Sequence, residues 1–244
     1  MLNSSKSSLK EKNLNILFVI PARKGSKRLP GKNNKRIRGK SLLKHKIDYC
    51  RNSNLGNIVV SSDCPLILKE AEDYKLEFIR KRPKNLSGDG PTTPIVHDAV
   101  NFYEKKSNKK ADLVILSQIT TPFILDSDFK KSVKIYLDSK NTYKSLIACK
   151  KVNNDFLWAL YQNTKGQSYK IPDSISKELK KFFIGKDAFI PNGGIYIINR
   201  LDLKKNGHFY ETPAKIFQMD RKQSIDIDYK EDLELAKIVS EDFF

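Results

Sequence analysis

The chain is poor in the residues that organise metal and redox chemistry. Its 244 residues include three cysteines, three histidines, two methionines and one tryptophan. Cys50, Cys64 and Cys149 are far apart and form no metal-type pair, and three is a poor number for a disulfide framework. They read as buried or incidental thiols in a reducing compartment. His45, His97 and His208 are equally scattered, which argues against a zinc site. Long apolar runs are also lacking: the longest, Ile16 to Ile20, is strand-sized, against the roughly 18 residues that cross a bilayer, so no membrane insertion is expected. Residues 1–15 carry Ser, Lys and Asn without the apolar core of a secretory signal. They read as a disordered tail ahead of one cytoplasmic domain, 16–244. The last shortage is of acidic residues: 28 Asp and Glu face 46 Lys and Arg, for a net charge of +18.

Such a charge suggests an anionic partner: nucleic acid, membrane surface or polyphosphate. The lysines are spread along the chain rather than gathered in one block, so a nucleic-acid-binding protein is a distant alternative and a solvated basic surface explains most of the excess.

What is present is a rhythm. Ile16–Pro21 is apolar throughout, as a strand buried on both faces is. Residues 41–52 place Leu43, Ile47 and Cys50 on one helical face. Strands are predicted at 58–61, 76–79, 113–116, 145–149, 194–198, 215–219 and 224–228. Helices are predicted at 65–74, 93–103 (with Val96, Ala99, Val100 and Tyr103 on one face), 126–138 and 230–241, the last with Leu235, Ile238 and Val239 clustered. The alternation implies an α/β fold, a mostly parallel sheet flanked by helices. In such sheets ligands bind beyond the carboxyl ends of the strands, which puts 22–33, 61–63 and 117–122 on one rim. Residues 150–185 break the rhythm with isolated aromatics, among them Phe156, Trp158 and Tyr169. Together with 200–215 they read as a small dimerisation arm.

The segment after the first strand is the most informative. Residues 21–33 hold five cations, Arg23, Lys24, Lys27, Arg28 and Lys32, with Gly25 and Gly31 among them. Small residues let backbone N–H groups approach an anion, and a triphosphate suits the charge. It is neither a P-loop nor a dinucleotide fingerprint, because the glycine spacing is wrong for both. Near the other end, Asp226 and Asp228 are separated by one residue. On a strand they share a face, where two hard carboxylates hold Mg²⁺ against phosphate oxygens, unless they are merely a solvated strand end. Asp232 reads as a first-turn helix residue.

The pattern I-P-A-R-x-G-S-K-x-x-x-x-K-N resembles the cytidylyltransferases that make CMP-sialic acids and related CMP-activated sugars. The resemblance continues in order through Ser61-Ser62-Asp63, through Arg82-Pro83 with Leu86 and Asp89, and through Ser117-Gln118-Ile119-Thr120-Thr121-Pro122. It ends with Pro191-Asn192-Gly193-Gly194-Ile195-Tyr196 and Ser224-Ile225-Asp226-Ile227-Asp228. It implies a Rossmann-like nucleotidyltransferase fold and a reaction in which a sugar's anomeric hydroxyl attacks the α-phosphorus of CTP. By the same resemblance Arg23, Lys32, Asp226 and Asp228 are catalytic, Mg²⁺ is the cofactor, and Arg23, Gly25, Ser26, Lys32 and Asn33 hold the nucleotide. Arg82 reads the cytosine edge, with Thr93 either beside it or serving as a helix N-terminal hydroxyl. Gln118, Thr120, Asn192 and Tyr196 contact the sugar, and Phe209 and Tyr210 reach across a homodimer to the neighbouring sugar site. The partners implied are CTP and a nonulosonic acid, or, as the alternative, an octulosonate.

The departures from the pattern are Ile119, Thr121, Ile124, Ile190 and the missing cation near Leu157. All fall on the acceptor side. They leave the choice among N-acetylneuraminate, legionaminate, pseudaminate and other nonulosonates open, while the S-I-D-I-D ending leans toward the neuraminate or legionaminate branch rather than the octulosonate one.

Overall fold

A computed structural model describes residues 14–88, 90–153 and 159–243. Asp89, Phe156, Leu157, Trp158 and most of the predicted tail lie outside the described residues. Asn15, counted with the tail, is tied in: its N–H donates to Asp112 Oδ2 at 2.7 Å and its Oδ1 accepts from Tyr103 Oη at 2.7 Å.

The chain order is β1 (Ile16–Ala22), β2 (Arg36–Ile37), β3 (Lys40–Ser41), α1 (Leu42–Ser53), β4 (Gly56–Ser62), α2 (Pro65–Asp73), β5 (Phe78–Lys81), α3 (Thr92–Ser107), β6 (Leu113–Leu116), α4 (Asp126–Ser139), β7 (Ser145–Val152), β8 (Leu160–Gln162), β9 (Ser168–Lys170), α5 (Asp173–Phe183), β10 (Ala188–Asn199), α6 (Arg200–Asn206), β11 (Ala214–Met219) and α7 (Lys230–Phe243). Seven strands form one sheet in the order β11-β7-β10-β6-β1-β4-β5. Only β10 runs antiparallel to its neighbours, so the mostly parallel α/β sheet is as the alternation predicts.

The unbroken apolar run of β1 follows from its central position. Phe18 and Ile20 point into a core built with α1, α2, α4 and α7, whereas Leu17 and Val19 point into a second core with α3 and α6. Every one of these side chains is buried. The predicted faces of α1 and α3 are the buried ones, and the three cysteines are buried and unpaired. Among the described residues no helix is long and apolar enough to cross a membrane.

Four expectations are corrected. Residues 224–228 are not a strand: Ser224 and Ile225 donate their N–H groups locally, to Asp220 O and Lys222 O, and Ile227 N–H donates to Thr120 O at 2.9 Å rather than to a strand. The strand predicted at 76–79 lies at Phe78–Lys81, in register with β4. In α7 the inward face is Leu233, Ala236 and Ser240, leaving Leu235 and Ile238 in solvent. Val239, partly buried, packs at the edge of that inward face. The stretch 200–215 does not stand off as an arm either, since Leu203 and Phe209 pack into the core on the α3 side. Of the stretch 150–185, Lys150–Val152 still belong to β7, and the described residues that lie outside the main sheet are the β8–β9 hairpin and α5.

Candidate active site

The parallel strands β1 and β4 end together, with Ala22 opposite Ser62, and β6 runs parallel beside them. The loops leaving them meet in a cleft of ≈ 490 Å³ at the predicted rim. It is lined by Arg23, Arg28, Lys32, Asn33, Arg82, Thr92, Ile95, Gln118, Thr120, Asp226 and Asp228, among others. One wall is the basic loop. Its shape is held by Leu29, which is buried in the core, and by bonds between side chains and backbone: Lys24 N–H donates to Asp63 Oδ1 at 2.7 Å, and Asn33 Nδ2 donates to Arg23 O at 2.7 Å. Gly31, at φ 66°, makes the left-handed turn that delivers Lys32. Asn33 is thus a brace for the loop as well as a cleft residue.

The opposite wall is the 224–228 segment. Asp232, at the start of α7, accepts from Asp228 N–H at 3.0 Å and from Tyr229 N–H at 2.8 Å, which fixes the entry to the helix and the direction of Asp228. Asp228 is gripped from both sides, with Lys32 Nζ to Oδ1 and Arg28 Nη2 to Oδ2, each at 2.7 Å. Arg28 also lies over the Tyr229 ring. Asp226 is different. Burial pushes its carboxyl above the ordinary carboxylate range; the Thr120 side chain offsets part of the shift without reaching hydrogen-bonding geometry. Gly193, at φ 77°, permits this approach, because a Cβ there would stand 3.1 Å from Asp226 Oδ2.

Arg82 closes the end of the cleft and is 5% exposed. Its Nη2 donates to Ser61 O at 3.0 Å, while desolvation lowers its pKa. Its Nε has no partner among the described residues. The same holds for Ser61 Oγ, Thr120 Oγ1 and Asp226 Oδ1, whereas the other such buried atom, Arg200 Nη1, sits in a structural pair with Glu104. Unsatisfied buried polar atoms are costly. Four of them at one rim mark a place shaped for a polar ligand.

The remaining predicted residues divide. Gly25 and Ser26 do not line the cleft, and the Ser26 hydroxyl accepts from Leu29 N–H at 3.4 Å. Thr93 faces a smaller cavity of ≈ 220 Å³ with Thr92, Gln118, Tyr196, Phe209 and Tyr210, and it is Thr92 that reaches the main cleft. Tyr196 meets both Phe209 and Tyr210 edge-on or tilted. Asn192 spends its amide on structure, donating to Ser224 Oγ and accepting from Gly194 N–H; its side chain borders a third cavity behind Asp226. Phe209 is 3% exposed and Tyr210 is 53% exposed. The pair expected to project together is therefore split: Phe209 folds back against its own chain because the left-handed Gly207 reverses the chain after α6. The sequence counts Arg28 among the loop's cations and Asp63 on the rim without giving either a specific role, and it does not single out Thr92 or Ile95. Their only sequence signal is position, next to motif residues at the ends of β1, β4 and α3.

The cleft brings together the cations Arg23, Arg28 and Lys32, the buried guanidinium of Arg82 with its unpaired Nε, and the carboxylates Asp226 and Asp228. Fold and site together define a nucleotidyltransferase. The chain belongs to the cytidylyltransferase family, whose model matches residues 17–241. It is 31% identical over 232 residues to a CMP-N,N'-diacetyllegionaminic acid synthase of Legionella pneumophila, covering 93% of this chain and 97% of that one. It is 29% identical over 229 residues to a pseudaminic acid cytidylyltransferase of Campylobacter jejuni, covering 91% and 95%. Among solved structures, a CMP-2-keto-3-deoxy-manno-octonic acid synthetase complexed with CTP shares the fold at a TM-score of 0.64 and 17% identity, covering 94% of this chain and all of that one.

Proposed function

We propose that the chain transfers CMP from CTP to the anomeric hydroxyl of a sialic-acid-type nonulosonic acid and releases pyrophosphate. The observation that carries this is the cluster of unsatisfied buried atoms, Arg82 Nε at one end and Asp226 Oδ1 in the middle, facing the cations of the basic loop. The similarity to legionaminic and pseudaminic acid enzymes over nearly the whole chain supports the acceptor class. An octulosonate remains the runner-up acceptor, supported by likeness of fold alone. The nucleic-acid alternative gains nothing, since the cations gathered here face carboxylates inside a cleft.

In this reading Arg23 and Lys32 neutralise the charge that develops on the phosphates, and Arg82 offers its free N–H to the base edge. A site whose buried donors expect one base leaves them unpaired against another. The two carboxylates fit Mg²⁺, which takes hard oxygen ligands and is commonly held by one or two protein carboxylates plus phosphate oxygens and water. When bound, the ion supplies Lewis-acid stabilisation of the phosphate charge. To hold the ion, Asp228 would give up its pairs with Arg28 and Lys32, which would leave both cations for the phosphates. Asp226, already without a partner at Oδ1, needs no such exchange.

The test is pyrophosphate release from each of the four nucleoside triphosphates with a panel of nonulosonic and octulosonic acids. Turnover is expected with CTP, Mg²⁺ and a nonulosonic acid, and at least 100-fold less with ATP or GTP. Equal turnover of the purine triphosphates would remove base selection from Arg82.

The working unit in this reading is a homodimer. The β8–β9 hairpin and α5 leave Leu160, Tyr161, Tyr169, Ile175, Phe182 and Ile184 exposed, an apolar surface costly on a monomer. Tyr210, half exposed at the mouth of the aromatic cavity, is placed for a neighbour to cover. Phe182→Glu with Ile184→Glu is expected to weaken association at least tenfold by sedimentation equilibrium and to lower activity with it. A fully active monomer would refute the shared site.

A further inference from the structure

Lys46 carries a buried charge with no role in the chemistry described so far. Lys46, on the inward face of α1, is fully buried. Its ammonium donates twice to a single residue, to Thr121 O at 2.9 Å and to Thr121 Oγ1 at 3.2 Å, and lies 5.7 Å from the centre of the Phe129 ring. Taking an ammonium out of water costs several kcal/mol, and a methionine of similar length would fill the space without that cost. Burial indeed pulls the lysine down to about 8, with Asp226 and Asp128 among the charges that hold its proton on. A group so expensive to bury is expected to do something a methionine cannot.

Thr121 is where the elements of the active site are tied together. Its Oγ1 donates to Gln118 O at 2.9 Å, closing the turn that carries Gln118 and Thr120 into the cleft. Gln118 N–H reaches Gly193 O, and Ser117 Oγ donates to Gly194 O at 2.7 Å, which fastens the turn to the glycine pair whose first member, Gly193, makes room for Asp226. Ile227 N–H donates to Thr120 O at 2.9 Å, which hangs the two carboxylates from the same turn. Neither Thr121 nor the 224–228 segment belongs to a helix or strand, so no ladder of backbone bonds holds this junction. Lys46 reaches it from a rigid helix on the far side from the ligand.

We propose that Lys46 is a positioning residue for the transfer reaction: by anchoring Thr121 to α1 it sets the placement of Gln118 and Asp226 relative to the nucleotide. This rests on the function proposed above. The basic loop and Arg82 are attached to other elements, so the effect should fall on turnover rather than on nucleotide affinity.

The test compares Lys46→Met, which keeps the volume and removes the donors, with Thr121→Val, which keeps Lys46 and its bond to the carbonyl and removes only Oγ1. Lys46→Met is expected to melt cooperatively at a temperature equal to or above that of the wild type. It should bind CTP within threefold of the wild type by calorimetry and lose at least tenfold in kcat. Backbone hydrogen exchange should rise in 117–122 and 224–228 and stay unchanged in 23–33. Thr121→Val should show the same pattern at smaller size, and the double variant should lose less than the product of the two. A purely structural lysine would instead lower the melting temperature and leave kcat per folded molecule intact; that result, or unchanged exchange in both segments, overturns the proposal. Should Lys46→Met fail to fold, Thr121→Val decides by the same two readouts. An inactive wild type would count against the proposed function, whereas the exchange pattern would still judge Lys46.

Discussion

Asp226→Asn and Asp228→Asn are each expected to lower turnover by about 10²–10³-fold, the scale of losing one preorganised charge-stabilising group, while moving stability in opposite directions. The amide keeps the shape of the carboxylate and removes its charge, so the metal and phosphate chemistry suffers in both. The surroundings differ. Asp226 is raised by burial, so its folded-state pKa lies above the unfolded one. The unfolded chain therefore ionises first as pH rises: the stability associated with the protonated form is present below the unfolded pKa and is lost as pH passes the folded one. Once pH exceeds the raised folded-state pKa the ionised Asp226 is a cost, and Asp226→Asn is expected to melt higher than wild type there, the difference shrinking as pH falls into the ordinary carboxylate range. Asp228→Asn removes the partner of Arg28 and of Lys32, whose side chain is 11% exposed. Between the small worth of exposed pairs and the 3–5 kcal/mol lost on breaking buried ones, a destabilisation of about 1–2 kcal/mol is expected. Paired kinetics and thermal melts across pH check both halves. Near-normal turnover of either variant at saturating Mg²⁺ takes that carboxylate out of the mechanism.

The second large effect is expected in the basic loop. Arg23→Ala and Lys32→Ala should each reduce kcat/KM by about 2–4 kcal/mol in transition-state terms, and Arg23→Lys should recover only part, because a point charge cannot replace a planar fork of donors. Arg28→Ala is the internal control. It lines the same cleft and holds the same aspartate, but its side chain is 49% exposed. Solvent screens it, and a loss of tenfold or less is expected. Steady-state kinetics with CTP varied at fixed acceptor separates the three. If Arg28→Ala costs as much as Lys32→Ala, the loop acts as a diffuse field and the individual roles are wrong.

The loop itself was legible because its chemistry is local. Cations and glycines packed directly behind an all-apolar strand announce both the end of a buried strand and an anion to be met there. The same is true of the helices whose apolar spacing reads straight off the chain, as in α3, and of the rim, which follows from the rule that parallel strands end together. The D-x-D pair was found for a reason that did not hold. Residues 224–228 form no strand; the two carboxylates reach the cleft because Ile227 hangs from Thr120 and Asp232 caps the next helix. Nothing local distinguishes that from a sheet edge, since alternation of Ile and Asp suits both.

From the sequence alone come the α/β class, the order of the motifs, the basic phosphate end and the carboxylate pair, because each is written in neighbours along the chain. Only the tertiary structure decided the rest. It turned Phe209 inward and left Tyr210 outside, put Thr92 rather than Thr93 in the cleft, made Asn192 a brace, paired Asp228 with Arg28 and Lys32 across the cleft, and placed Lys46 beneath Thr121. Each of these depends on contacts between residues far apart in sequence, where burial and the presence or absence of a partner, rather than residue type, determine what a side chain does.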